Sequence, residues 1–202
     1  MLHFNNEKDI LDYITNNPTF ISGFTSGEGC FTAYLGLDLT LKWMLQPNCE
    51  FSITQSTGDI KLLQAINLYF GSSGAVYDRK DGVSVLMVRN LHLITLHILP
   101  FFNTFPLLGT KSYEYERWFK LVQLIISKQH LGTELFNRDI FIEMAYICKD
   151  LNAKVANPKK IARLEIIIDW LKQLSGVPSK EEKELFNTYL GDQLKSFKKS
   201  TI

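Results

Sequence analysis

Asn17-Pro18-Thr19-Phe20-Ile21-Ser22-Gly23-Phe24-Thr25-Ser26-Gly27-Glu28-Gly29-Cys30-Phe31 reads as a short glycine-bearing helix that delivers one carboxylate to the start of a strand. Asn17 is a good N-cap, and Pro18 suits the first helical position, where its missing N–H costs nothing. Gly23 and Gly27 are four apart, so they share one helical face and strip it of side chains, which lets another backbone come close. Gly29 has the freedom to take the left-handed conformation that ends a helix, and Cys30 to Leu35 then alternate as a strand. Glu28 is left at the negative end of the helix dipole, a poor place for a carboxylate, at a cost of a few tenths to ~1 kcal/mol when exposed. On residues alone two readings stand: a solvated helix-end carboxylate, or a ligand for a bound cation.

Working outward, Asn6 caps a first helix over residues 7–16. Residues 30–40 are expected as a strand with Phe31, Ala33, Leu35, Leu37 and Leu39 on the core side. Pro47-Asn48 signals a turn, and Glu50 to Gln55 alternate as a second strand. A helix then runs to Phe70 and stops at Gly71. A hairpin follows over residues 74–89, its turn marked by Asp81-Gly82. Asn90 caps a helix that Pro100 helps to end, Phe101 to Leu108 form an apolar loop, and Thr110 caps a long amphipathic helix. This order, α-β-β-α-β-β-α over about 105 residues, predicts an α+β unit, a four-stranded antiparallel sheet with helices on one face. Three further helices are expected: residues 138–151, a helix capped by Asn157-Pro158 and ending near Leu174, and one opened by the capping box Ser179 to Glu182 and running to about Phe197.

Ile21-Ser22-Gly23-Phe24-Thr25-Ser26-Gly27-Glu28-Gly29, with Phe20 before it and Cys30-Phe31 after it, resembles the signature nonapeptide of the LAGLIDADG homing endonucleases, in particular the single-motif, mitochondrial intron-encoded type. The resemblance covers roughly residues 18–152 and implies an endonuclease-like domain at 1–152, followed by a helical C-terminal extension at 153–202. It implies that Gly23 and Gly27 pack the motif helix against that of a second half-site, and that Glu28 is the acidic residue that holds a divalent metal, Mg2+. Ser26 stands where the family usually has Asp; the metal-binding acid is the later one. By the same resemblance Gln55 matches a polar residue near the attacking water, and Lys111 matches a lysine that contacts the scissile region. Taken singly, Gln55 also reads as a strand-end surface residue and Lys111 as a first-turn surface lysine. Asp59 stands near the place where some relatives carry a basic residue. In the family the sheet lies in the DNA major groove, which implies contacts from Thr32, Tyr34, Gly36, Asp38 and Thr40 on the first strand and from Arg79, Lys80 and Arg89 on the hairpin. One motif per chain implies a homodimer, or a partner protein packed on the motif helix, on a near-palindromic duplex inside the mitochondrion.

Composition bounds these readings. With 202 residues, 46% hydrophobic and 21% charged, the chain is an ordinary globular one. No apolar run of about 18 residues is present, and Met1 to Glu7 lack the features of a signal sequence, so neither membrane nor secretion is expected. Cys30, Cys49 and Cys148 are widely spaced, and His3, His92, His97 and His130 form no ligand pattern, so disulfides and zinc are not expected and a reducing compartment fits. Trp43, Met44, Phe101, Phe102 and Phe105 are read as core rather than as the exposed patch of a protein-interaction module. Residues 1–150 hold 12 Lys and Arg against 15 Asp and Glu, net −3, while residues 151–202 hold 10 against 6, net +4, which together give the chain its +1. Phosphate neutralisation by cations supplies most non-specific DNA affinity. The acidic balance of the motif domain and its cation-free first strand therefore support a second reading, a non-catalytic relative that binds structured RNA as an intron maturase or as a component of a mitochondrial ribonucleoprotein such as the ribosome.

Overall fold

The computed structural model describes residues 6–153 and 158–196. Helix α1, Glu7–Asn16, starts as its cap dictates, with the Asn6 side chain accepting from the Asp9 N–H at 3.0 Å. Helix α2, Thr19–Glu28, follows at once. Asn17 does not cap it by side chain; its amide instead donates to the Tyr13 carbonyl at 2.9 Å and closes α1, and Pro18 occupies the α2 N-cap. The chain enters strand β1, Gly29–Leu37, without a left-handed residue, since Gly29 has φ −79° and ψ 151°. A glycine is needed there for a different reason: a Cβ would lie 2.6 Å from the Thr25 carbonyl oxygen.

Along β1, Phe31, Ala33 and Leu35 are buried as the alternation requires, but the strand ends at Leu37 and Leu39 is exposed. Asp38 ends it, accepting from the Thr40 N–H at 2.9 Å and the Thr40 hydroxyl at 2.6 Å, and these bonds hold the Asp38 carboxyl below the usual carboxylate range. Strand β2, Leu45–Ser56, starts five residues before the expected Glu50, and Pro47 lies inside it rather than in a turn. Strand β4 pairs only with Phe51–Ser56 of β2, so on that side the chain around Pro47 has no ladder partner to miss its N–H. After a 3₁₀ turn comes α3, Ile60–Tyr69, then strand β3, Ala75–Asp78, and strand β4, Val83–Val88, whose joining turn places Gly82 at φ +79°. The sheet order is β1-β2-β4-β3, with β4 antiparallel to both neighbours.

Pro100 does not end the next helix. Leu91–Leu93 (α4) passes through a π turn at Ile94–Ile98 into α5, Leu99–Thr104, where proline sits in a first turn that tolerates it. Phe101 and Phe102, expected in a loop, are therefore buried helical residues. Helix α6, Thr110–Ile126, is followed by α7, Leu135–Ala153, α8, Pro158–Gln173, and α9, Lys180–Ser196. Asn157, Phe197, Lys198 and Lys199 lie outside the described residues. The capping box at the start of α9 is formed, the Ser179 N–H donating to Glu182 at 2.7 Å and the Glu182 N–H to the Ser179 hydroxyl at 3.1 Å.

By contacts the chain falls into two compact units, Met1–Thr32 with Cys49–Phe119 and Ala33–Asn48 with Lys120–Ile202. The first has an aromatic core around Phe31, whose ring lies 5.1 Å from Trp118, 5.4 Å from Phe51 and Tyr115, and 5.7 Å from Phe102. Trp118 also donates to the Thr32 carbonyl at 3.1 Å, so α6 is fixed to β1 by burial and by a directional bond. In the second unit the ends of β1 and β2 are tied to helices. Trp43 is buried and donates to the Gly132 carbonyl at 3.0 Å, Arg163 of α8 donates to the Leu35 carbonyl at 2.7 Å, and Lys183 of α9 donates to the Leu41 carbonyl at 2.8 Å. Trp170 stacks on Phe186 at 4.2 Å and joins α8 to α9. No helix among the described residues is long and apolar enough to cross a membrane.

Candidate active site

Glu28 is the last residue of α2 and is exposed. Among the described residues no hydrogen bond or ion pair is made to its carboxylate. Directly beyond it the Gly29 carbonyl accepts from Lys111 Nζ at 2.8 Å, and the same ammonium pairs with Glu114 at 2.8 Å. Lys111 stands in the first turn of α6, and its side chain is only 16% exposed. A cation fastened there offsets the negative end of the α2 dipole. Two of its three N–H donors are used, which leaves one for a ligand.

Gln55 is the penultimate residue of β2 and lies across from Ser84. Its side-chain oxygen accepts from the Ser56 N–H at 2.8 Å, so the amide NH₂ group remains available. Lys111 is thus joined to the residue after Glu28, while Gln55 makes no hydrogen bond to either among the described residues.

The free side of α2 carries Thr19, Gly23 and Gly27, all exposed. A Cβ on Gly23 or Gly27 would meet nothing within 4 Å. Beside them Ser22 anchors the helix, its hydroxyl donating to the Phe105 carbonyl at 2.7 Å. A shallow groove of about 270 Å³ runs along the free side between Thr19, Gly23 and Ser26 on one wall and Phe105, Pro106 and the exposed Leu108 on the other.

The sheet face opposite the aromatic core is nearly uncharged. Its cross-strand rows in the first unit are Thr54 with Val85 and Tyr77, and Ser52 with Met87 and Ala75. Arg89 is bonded to Glu50 at 2.6 Å, and Arg79 is paired with Asp81 in the hairpin turn. Lys80 is exposed beside that turn. On β1, Thr32, the exposed Tyr34 and the half-buried Gly36 take the expected outward positions, whereas Asp38 and Thr40 are bonded to each other in the turn. Gln46 and Asn48 take outward positions in the early part of β2 and are missed by a sequence reading that puts a turn at Pro47. The signal was the alternation of Leu45, Cys49, Phe51 and Ile53, all buried, which runs through the proline. Cys49 is buried enough that its thiol is pushed up to about 12.

A family model described as LAGLIDADG endonuclease matches residues 21–122. The chain belongs to the LAGLIDADG endonuclease family. It is 36% identical over 128 residues to a probable intron-encoded endonuclease 3 of Neurospora crassa, covering 62% of this chain and 24% of that one. The chain spans about a quarter of the length of the curated relatives it matches. Among solved structures it resembles the homing endonuclease I-TnaI with a TM-score of 0.65 and 25% identity, covering 76% of this chain and 97% of that one. It also resembles I-SmaMI bound to an uncleaved DNA target in the presence of calcium ions, with a TM-score of 0.59 and 26% identity, covering 70% of this chain and 49% of that one. The α+β fold with its four-stranded antiparallel sheet matches that of solved LAGLIDADG homing endonucleases.

Proposed function

We propose that the chain is a homodimeric, divalent-metal-dependent, site-specific DNA endonuclease in which two α2 helices meet through Gly23 and Gly27. The observation that carries this reading is the end of α2: an exposed carboxylate without a partner among the described residues, on a helix whose free face holds no side chain larger than threonine, with Lys111 fastened beside it. Two-fold symmetry brings two copies of Glu28 together.

Divalent-metal dependence is general among LAGLIDADG endonucleases. One chain holds no cluster of three His, Cys, Asp or Glu among its described residues. Mg2+ suits such a site, because it is commonly held by one or two carboxylates, waters and substrate phosphates rather than by an all-protein cage. The fitting ligands are Glu28 from each copy, and the ion would supply Lewis-acid stabilisation of the phosphoryl oxygens. The chain's own residues do the rest. Gln55 offers its free NH₂ to orient a water, and the third N–H of Lys111 bonds a phosphate oxygen as negative charge grows on it. Thr32, Tyr34, Arg79, Lys80 and Arg89 lie along the DNA. The intron-encoded relatives support a mitochondrial location.

Purified chain incubated with a randomised duplex library should yield discrete double-strand cuts with Mg2+ and none with chelator, and should sediment as a dimer. Absence of cutting, or cutting by a monomer, overturns the proposal. The pairing of Arg79 and Arg89 with carboxylates favours a second reading, a non-catalytic RNA-binding relative. Structured RNA bound without any DNA cleavage, and lost on deleting residues 153–202, would establish it instead.

A further inference from the structure

The hairpin formed by residues 33–48 differs from an ordinary DNA-reading ribbon in what it offers and in how it is held. Its outward strand positions are Tyr34 and Gly36 on β1 and Gln46 and Asn48 on β2, with no cation among them. The hairpin's lysine, Lys42, lies in the turn. In the major groove, guanine is read by Arg or Lys donating to O6 and N7, whereas Asn and Gln pair with adenine N6 and N7 by one acceptor and one donor. Asn48 spends one N–H on the Gln46 carbonyl at 2.9 Å, which leaves its oxygen and one N–H, the pair adenine requires. Gln46 is exposed with its whole amide available. Gly36 is their neighbour: a Cβ there would stand 3.5 Å from the Asn48 amide nitrogen and 3.8 Å from the Gln46 Cβ. Its bare backbone keeps the space above both amides clear for a base edge.

The frame is held from behind. Arg163 of α8 and Lys183 of α9 bond the carbonyls of Leu35 and Leu41, and Trp43 bonds Gly132. Arg163 and Lys183 lie outside the segment that the family model matches. Base readout demands hydrogen-bond geometry held to a fraction of an ångström, and a hairpin tip tied at three points provides it.

We infer that this hairpin makes the enzyme select A·T pairs at the base pairs it covers, with Gln46 and Asn48 as the reading residues and Arg163 and Lys183 as residues that position them. The inference rests on the DNA reading proposed above. Selection of bound duplexes from a randomised library by the full chain, with Ca2+ present, tests it. The wild type should show A·T enrichment at the positions that respond to these residues, each worth roughly 5- to 150-fold in affinity. Gln46→Arg and Asn48→Arg should each convert one such position to G·C while leaving the others unchanged. Arg163→Met should flatten the preference at those positions only, and Arg163→Lys should restore it. G·C at the responding positions of the wild type, or an unchanged profile for Gln46→Arg, overturns the inference and leaves the endonuclease reading intact. No enriched duplex at all overturns both.

Discussion

At the end of α2 and on the sheet face of the same unit, charge is treated in opposite ways. Glu28 stands exposed with no partner among the described residues, and Lys111 beside it is seated by a backbone carbonyl and by Glu114 with one donor spare. On the sheet, Arg89 is closed onto Glu50 and Arg79 onto Asp81. The first arrangement leaves charge exposed at a helix end, where the proposed reading puts the metal and the phosphate. The second pairs charge within the chain, so the DNA binding proposed for this face would depend on neutral hydrogen bonds and shape more than on phosphate attraction. On the proposed endonuclease reading, the cutting end would work through charge and the reading face without it.

The largest expected effect tests the catalytic end through its partner. Gly27→Leu puts a side chain on the open face of α2, where nothing in the chain occupies the space, and should abolish dimerisation and lower cleavage by at least ~10²-fold through loss of geometry. Gly27→Ala, by contrast, should raise the stability of the monomer unit by ~1 kcal/mol through helix propensity. Sedimentation and thermal unfolding on the two variants separate association from folding; a Gly27→Leu dimer of normal activity would break the comparison at its strongest point. Next, Lys111→Met should lower the cleavage rate by about 10²-fold with DNA affinity much less affected, while loss of its charge-assisted bonds costs stability by ~1.5–3 kcal/mol. Single-turnover kinetics beside binding measurements show whether rate and affinity part in this way. The smallest effect sharpens the other side. Glu50→Gln removes one carboxylate from beside Arg89, and log affinity for random DNA against log salt should steepen by up to roughly one charge per half-site. An unchanged slope would mean that the Glu50–Arg89 pair does not restrain the face.

Much of this was legible in the sequence because the features are local. The α2 helix, its glycine face and Glu28 follow from spacing alone, and the Asp81-Gly82 turn needs a positive φ that glycine supplies, +79° at Gly82. Other features were set by tertiary context. Gly29 is required by the closeness of Thr25 rather than by a left-handed cap. Pro47 reads as a turn but sits in a strand, since β4 leaves one side of β2 unpaired there. The true turn is closed by Asp38 and by Met44 at φ +61°, a residue type that carries no turn signal. Pro100 reads as a helix stop, yet the π turn before it lets the helix go on to Thr104. At the candidate site, Lys111 was named by resemblance, but its bond to Gly29 joins residues 82 apart in sequence and was not readable. The neutralising role of Glu50 was missed for the same reason, its partner being 39 residues away.

Glu28→Gln tests the central assignment most directly, because the change removes one negative charge, keeps the shape and touches no internal bond. Cleavage and binding of the same selected duplex, measured side by side with Mg2+, should show binding retained and cleavage reduced by roughly 10²–10³-fold or more. Cleavage at the wild-type rate by Glu28→Gln would contradict it.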